Sequence, residues 1–273
     1  MLARLEQVIA ATRRRVADAK RSADLRELER QAQDHVPRGF RRALADRSRN
    51  GVAVIAELKK ASPSRGLIRA NFDPTHLAPE LEAAGAAALS VLTDEEFFQG
   101  SLGNLRRASA CTRLPCLQKD FIVDEFQLLE ARAHGADAVL LIVAVLSQEQ
   151  LNALAIKSRA LSLDVLCEAH DEQELRRALA AGCDLIGVNN RNLLTFKVEP
   201  QTTFRLAELI PKDVVAVAES GIENGTEVAR LRSAGYRAFL IGEFLMRAES
   251  PGQGLRSLLA EADREPSSLT AKS

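Results

Sequence analysis

From residue 52 onward, short aliphatic runs alternate with stretches of helical spacing. The runs read VAVIAEL (52–58), AALSVL (87–92), PCLQK (115–119), AVLLIV (138–143), DVLCEA (164–169), LIGVN (185–189), VVAVAES (214–220) and AFLIG (238–242). They are continuously apolar rather than alternating, as strands are when helices cover a parallel sheet. A repeat reinforces the pattern. AAGAAALSVL, AHGADAVLLI, AAGCDLIGVN and SAGYRAFLIG each lead into a run, and their glycines, Gly85, Gly135, Gly182 and Gly235, suit helix C-caps. The glycines recur about every 50 residues, twice the roughly 25 of one strand-helix unit. That spacing predicts about eight units, the number in a closed (β/α)8 barrel. A doubly wound open sheet is the rival; it ordinarily has a glycine-rich first turn, whereas the first run here is followed by KKASPSRG.

Ahead of the first run, Leu2, Leu5, Val8, Ile9 and Val16 recur at helical spacing, which predicts a helix packing an apolar stripe on the main body. The segment lacks a secretory apolar region, and Glu6 and Asp18 speak against a transit peptide. The expected organisation is an α/β protein: a helical extension over 1–50, a (β/α)8 TIM barrel catalytic domain over 51–262 and a frayed tail over 263–273.

Composition then narrows the possible partners. Lys+Arg 37 balances Asp+Glu 37, so a polyanion-binding surface is not expected and any anion site is local. Aromatic residues make up 4% with no Trp, which argues against base-stacking platforms; no nucleic-acid partner is expected. The longest apolar stretch, 138–146, is about half the roughly 20 residues of a membrane span, so no membrane partner is expected either. Cys111, Cys116, Cys167 and Cys183 form no C-x-x-C pair, which predicts no structural zinc or disulfide framework and fits a reducing, cytoplasmic setting. His35, His76, His134 and His170 are scattered without an H-E-x-x-H pattern or a Ser/Asp partner pattern, and ordinary core or surface roles suffice for them. The segment PGQGLRS at Pro251 follows no strand and is assigned to the start of a helix.

Polar residues close many of the runs. Glu57 and Lys59 end the first, Lys119 the third, Glu168 the fifth, Asn189 and Arg191 the sixth, Glu219 and Ser220 the seventh. In a barrel these would gather around one mouth, at the end where active sites of this fold lie, and such crowding is costly unless a ligand uses it. Period-2 geometry puts Glu57 and Lys59 on one face. A lysine near other cations and away from water is shifted toward easier proton release, which suits Lys119 or Lys59 to general-acid work, with a carboxylate as base. A Schiff base through Lys119 is an equally open use of the same amine. Near the end of the chain, AESGIE and LIGEFLM leave Gly221, Gly242 and Glu243 able to offer backbone N–H groups to an anion, where this fold commonly holds phosphate.

The motifs IAELKKASPSRG from Ile55, VLTDEEFFQG from Val91, QKDFI from Gln118, GVNNRNL from Gly187, AESGI from Ala218 and FLIGEFLM from Phe239 together closely resemble the indole-3-glycerol-phosphate synthase family, in a version without a second barrel. The resemblance implies a small-molecule substrate, 1-(2-carboxyphenylamino)-1-deoxyribulose 5-phosphate, closed to an indole with loss of carbon dioxide and water, and it implies no cofactor or metal. By likeness Lys119 is the general acid and Glu168 the base. Lys59 shares the acid role or holds an anionic group of the substrate. Glu57, Asn189 and Glu219 orient the sugar and sustain the lysine charges. Ser62 and Arg191 take the anthranilate carboxylate, with Phe98, Phe121, Leu193 and Phe196 walling the ring. Ser220, Gly221, Gly242 and Glu243 join the phosphate contacts, although Glu243 stands where many relatives have a small residue. Two other readings are another phosphosugar barrel enzyme, such as phosphoribosylanthranilate isomerase, and a non-catalytic phosphosugar-binding barrel. The first gives no reason to keep Lys59, Lys119 and Glu168 together.

Overall fold

The computed structural model describes residues 5–264 except 194 and 196. Three helices come first: α1 (Leu5–Ser22), α2 (Leu25–Asp34) and α3 (Phe40–Asn50). Eight parallel strands follow: β1 (Ala53–Leu58), β2 (Ala88–Leu92), β3 (Cys116–Lys119), β4 (Ala138–Ile142), β5 (Asp164–Ala169), β6 (Leu185–Asn189), β7 (Val215–Glu219) and β8 (Ala238–Ile241). They close into a barrel in chain order, with β8 returning to pair with β1 through Ala53↔Ala238 to Ala56↔Ile241. Each strand is separated from the next by one or more helices, the arrangement of a (β/α)8 barrel. All eight runs read from the sequence are strands, trimmed by a residue or two at some ends. The four repeat glycines do end helices, with φ of 97° at Gly85 and 110° at Gly235.

Two apolar cores follow from the two-residue period of the strands. Val54, Ala56 and Leu58 of β1 pack outward on the surrounding helices. Ala53 and Ile55 point inward, where they meet Leu117, Leu140, Leu166, Leu185, Val217 and Leu240. Phe40 and Leu44 of α3, both fully buried, belong to this inner core and plug the end at which the strands begin.

The preceding helices span the barrel from end to end. At the plugged end Asp137, just before β4, is buried and accepts from the Arg38 Nε at 2.9 Å and from the Cys116 backbone N–H at 2.7 Å. The Arg41 backbone N–H donates to Asp164 at 2.8 Å. At the opposite end Arg15 of α1 donates to both oxygens of the buried Asp120 at 2.9 and 3.1 Å, and Lys20 pairs with Asp124 at 3.0 Å. The predicted stripe on α1 is buried at Val8 and Val16, joined by Ala11 and Thr12, while Leu5 and Ile9 are half-buried. Leu2 lies outside the described residues. Among those described, no helix is long and apolar enough to cross a membrane.

Two details depart from the sequence reading. The loop after β1 folds into a small antiparallel hairpin, Ala61–Ser62 against Gly66–Leu67, with Gly66 at φ 66° where a side chain is disfavoured. The last helix, Pro251–Arg264, starts at the expected proline but carries Asp263 and Arg264, assigned above to the tail; residues 265–273 lie outside the description.

Candidate active site

The inward alternation that builds the barrel core also builds the site. One step beyond the apolar residues Ile55, Leu117, Leu166 and Val217, the next inward positions are Glu57, Lys119, Glu168 and Glu219; on β6 Asn189 ends the inward series begun by Leu185. A single cavity at this end is lined by Glu57, Lys59, Ser62, Phe98, Lys119, Phe121, Glu168, Asn189, Arg191, Leu193, Glu219, Ser220, Gly221, Gly242 and Glu243. Every site candidate read from the sequence therefore converges on it except Phe196, which lies outside the described residues.

The charged groups touch one another. Lys59 Nζ donates to Glu57 Oε2 at 2.6 Å. Lys119 Nζ donates to Glu168 Oε2 at 3.2 Å and stands 3.6 Å from Glu219 Oε2. Glu57, Glu168 and Glu219 are all buried, so their charge states depend on these neighbours. Burial alone would raise Glu57, but Lys59 and Lys119 outweigh it and hold the carboxyl below its ordinary range. The same contest at Glu168 is won by Lys119, with help from His170 and Asn189, and that carboxyl is also held down. Glu219 goes the other way: burial and the charge of Glu168 push it up to about 8 against the pull of Lys119. Its Oε1 is buried without a hydrogen-bond partner. With burial and the charge of Glu168 holding it at about 8, Glu219 is largely protonated at neutral pH.

This corrects the expected titration of Lys119. Burial does favour proton loss there, but the negative charges of Glu168 and Glu57 raise the ammonium above its ordinary value. Where cations were expected around Lys119, the barrel instead brings acidic side chains from β1, β5 and β7. The lysine is consequently held as an ammonium, and an amine nucleophile at this position would first have to overcome that stabilisation.

Glycine supplies the room for two of these carboxylates. A Cβ on Gly187 would lie 2.1 Å from Glu219 Oε1, and one on Gly242 would lie 2.1 Å from Glu57 Oε2. Gly242 then opens the short helix Glu243–Arg247, while Ser220 and Gly221 adopt successive left-handed conformations with φ of 65° and 81°. Ser220, Gly221, Gly242 and Glu243 all line the cavity, so their backbone N–H groups lie within reach of an anion held there. The Glu243 carboxylate is engaged by Arg65 of the hairpin at 2.9 Å and by Arg247 at 3.5 Å. Across the cavity Phe98 and Phe121 pack with ring centroids 6.5 Å apart, and the Asn189 side chain accepts from the Arg191 backbone N–H at 2.9 Å.

Several residues on this surface escaped the sequence reading. Arg65, Asp94 and Asp120 also line the cavity. Asp120, next to Lys119 in the chain, accepts from Thr93 Oγ1 at 2.6 Å as well as from Arg15, and Gln118 Nε2 donates to Thr93 at 3.0 Å, fixing the strand end that carries the lysine. His170, given an ordinary role above, stands 3.4 Å from Glu168 Oε1. Its signal was available: it follows Glu168 by two positions, the same spacing that paired Glu57 with Lys59.

The family model for indole-3-glycerol phosphate synthase matches residues 5–258. The chain belongs to the indole-3-glycerol phosphate synthase family. A synthase of that name from Koribacter versatilis (strain Ellin345) is 58% identical over 259 residues, covering 95% of this chain and all of the relative. Another, from Desulfotalea psychrophila (strain LSv54 / DSM 12343), is 46% identical over 255 residues, covering 93% of this chain and 97% of the relative. Among solved structures, thiamine phosphate pyrophosphorylase from Pyrococcus furiosus aligns at TM-score 0.59 with 16% identity, over 79% of this chain and 97% of that one. That likeness speaks for the barrel alone. The synthase match runs from the start of α1 to Leu258 within the last helix, so it includes the helices ahead of the barrel as well as the barrel itself.

Proposed function

We propose that this chain closes 1-(2-carboxyphenylamino)-1-deoxyribulose 5-phosphate to indole-3-glycerol phosphate, releasing carbon dioxide and water, with Lys119 as general acid and Glu168 as general base. Family membership and the relatives' names support the overall decarboxylating ring closure and its place in tryptophan biosynthesis. The assignment of roles rests on one observation above all: Lys119 and Glu168 are in contact at 3.2 Å and both line the cavity at the mouth of the barrel.

The substrate carries a phosphate at one end and a carboxylate at the other. The turns at Ser220–Gly221 and Gly242–Glu243 suit the phosphate through backbone N–H groups, so Glu243 takes part by its main chain while Arg65 and Arg247 occupy its side chain. Lys59 adds a positive charge nearby. Ser62 and Arg191 suit the anthranilate carboxylate, and Phe98, Phe121 and Leu193 exclude water from the ring, which strengthens every charge contact around it.

Bond formation joins the ring carbon that bears the carboxylate to the sugar ketone carbon. The ketone oxygen gains negative charge as it does so, and Lys119, protonated and aimed into the mouth, supplies the proton. The carboxylate then leaves as carbon dioxide, its bonding electrons restoring the aromatic ring. The remaining hydroxyl departs as water on a second protonation, for which Lys59 and protonated Glu219 stand in the same cavity. Glu168, held ionised, takes the proton from the ring nitrogen. Glu57 and Asn189 orient the sugar hydroxyls, and Glu57 keeps Lys59 charged. A cytoplasmic setting belongs to the proposal, supported by four free thiols.

The test is product formation followed by indole absorbance and fluorescence. Lys119→Met should slow turnover by about 10²-fold or more, the range of general acid-base groups. Glu168→Gln should leave KM largely intact while lowering kcat. Near-normal kcat in either variant removes that residue from its role, and no indole signal from the parent protein refutes the reaction itself.

A further inference from the structure

We propose that His170 is a positioning residue for this reaction, holding Glu168 in place from behind while Lys119 serves the substrate. The inference rests on the assignment of Glu168 as base. His170 follows the end of β5, two residues beyond Glu168, and its side chain is mostly buried. Nδ1 lies 2.9 Å from Glu174 Oε2, and the His170 backbone N–H donates to the same oxygen at 2.8 Å. Glu174, in the helix Glu172–Ala180, thus grips both the ring and the main chain.

The ring so held presents Nε2 to the site. This nitrogen is buried, makes no well-formed hydrogen bond, and has Glu168 Oε1 3.4 Å away. The other oxygen, Oε2, accepts from Lys119. The base is therefore bracketed by two cations, one on each oxygen. Carboxylates on both sides of the imidazole raise its pKa to about 10 despite burial, so at neutral pH both ring nitrogens carry protons and Nε2 is a donor.

The two cations have different futures during turnover. Lys119 must leave Glu168 to protonate the ketone, and at that moment the carboxylate loses a partner in a buried place. The other charged groups facing it do not replace that partner: Glu219 and Glu57 carry the wrong sign or none, Lys59 is engaged by Glu57, and Asn189 is neutral. His170 alone among them keeps a positive charge on the far side, anchored outside the cavity by Glu174. A small approach of Glu168 closes the 3.4 Å gap into a charge-assisted hydrogen bond, which fixes the orientation of the carboxylate and keeps Oε2 toward the substrate.

Steady-state kinetics and melting curves of His170→Ala, His170→Gln, Glu174→Gln and Glu168→Gln test this on the full chain. Positioning predicts that His170→Ala lowers kcat by about tenfold, short of the about 10²-fold for loss of a general base, with KM little changed. His170→Gln, which can still donate from the Nε2 position, should recover a good part of that loss. Glu174→Gln, a substitution outside the cavity, should lower kcat in the same direction and carries the test if His170→Ala does not fold. Unchanged kcat in folded His170→Ala, or His170→Gln no better than Ala, overturns the proposal whatever the melting temperature does. Glu168→Gln separates the two levels: if it also retains full kcat, the assignment of the base has failed, whereas loss there with normal His170 variants refutes positioning alone.

Discussion

Gly187→Ala is a one-methyl perturbation that reaches the site without altering any charged group. Gly187 lies inside β6, where its backbone can accept alanine, yet the added Cβ would stand 2.1 Å from Glu219 Oε1 and 3.2 Å from its Cδ. On the other side Leu166 Cδ1 is 3.3 Å away, which leaves the methyl no retreat. The carboxyl must withdraw from 2.1 Å to the 3.4 Å of ordinary contact, a displacement of about 1.3 Å. Misplacement of a reacting group by about 1 Å costs about 10²-fold in rate, and overfilling a packed interior costs about 1–3 kcal/mol. At about 2–4 °C per kcal/mol for a chain approaching this size, melting should fall by only several degrees. The expected result is a folded protein with kcat, read from indole fluorescence, down by about 10²-fold. Gly235→Ala supplies the contrast. Its φ is 110° and no atom lies within 4 Å of the added methyl, so backbone strain of about 1–2 kcal/mol should lower melting while kcat stays normal. If Gly187→Ala folds and turns over like the parent, the placement of Glu219 has no bearing on the reaction.

Two other perturbations address charge and packing. Because the folded protein raises Glu219 to about 8, the protonated group's contribution to stability is complete below the ordinary carboxylate range and is lost as pH rises through about 8. Glu219→Gln should remove that loss, so melting temperatures of parent and variant should diverge between about pH 5 and 8 in favour of the variant; parallel profiles would contradict the raised value. Deleting residues 1–46 uncovers the inner core beneath Phe40 and Leu44 and removes Arg15 from Asp120 and Arg38 from Asp137. Melting should fall clearly and turnover should weaken with the loss of support beside Lys119; an unchanged melting temperature would refute the packing of these helices as a structural cover.

Legibility in the sequence followed the range of the interactions concerned. The strands were readable because both of their faces are apolar, and the site candidates because polar residues close those runs on one inward face. What escaped depends on neighbours distant in the chain. Arg15 and Asp120 are 105 residues apart, and nothing local to either announces the pair. The charge state of Lys119 required the strand order, since the acidic side chains around it come from three different strands. The role of Gly187 likewise needs the register Asn189↔Glu219 that sets Glu219 beside it. His170 differs from these, because its two-residue spacing from Glu168 is legible in the sequence although it belongs to no metal or triad pattern.

The β1–β8 pairing gives the site a place in time. Ala53 and Ala238 are ladder partners although most of the chain separates them. Glu57 sits on the first strand, while Gly242, whose missing side chain makes room for it, follows the last. A nascent chain thus carries both lysines and all three acidic groups well before they form a mouth, and the final strand must dock before Glu57 has its neighbour. Activity should consequently appear as a single late event during synthesis, when the strand at 238–241 clears the ribosome, rather than growing with each unit added.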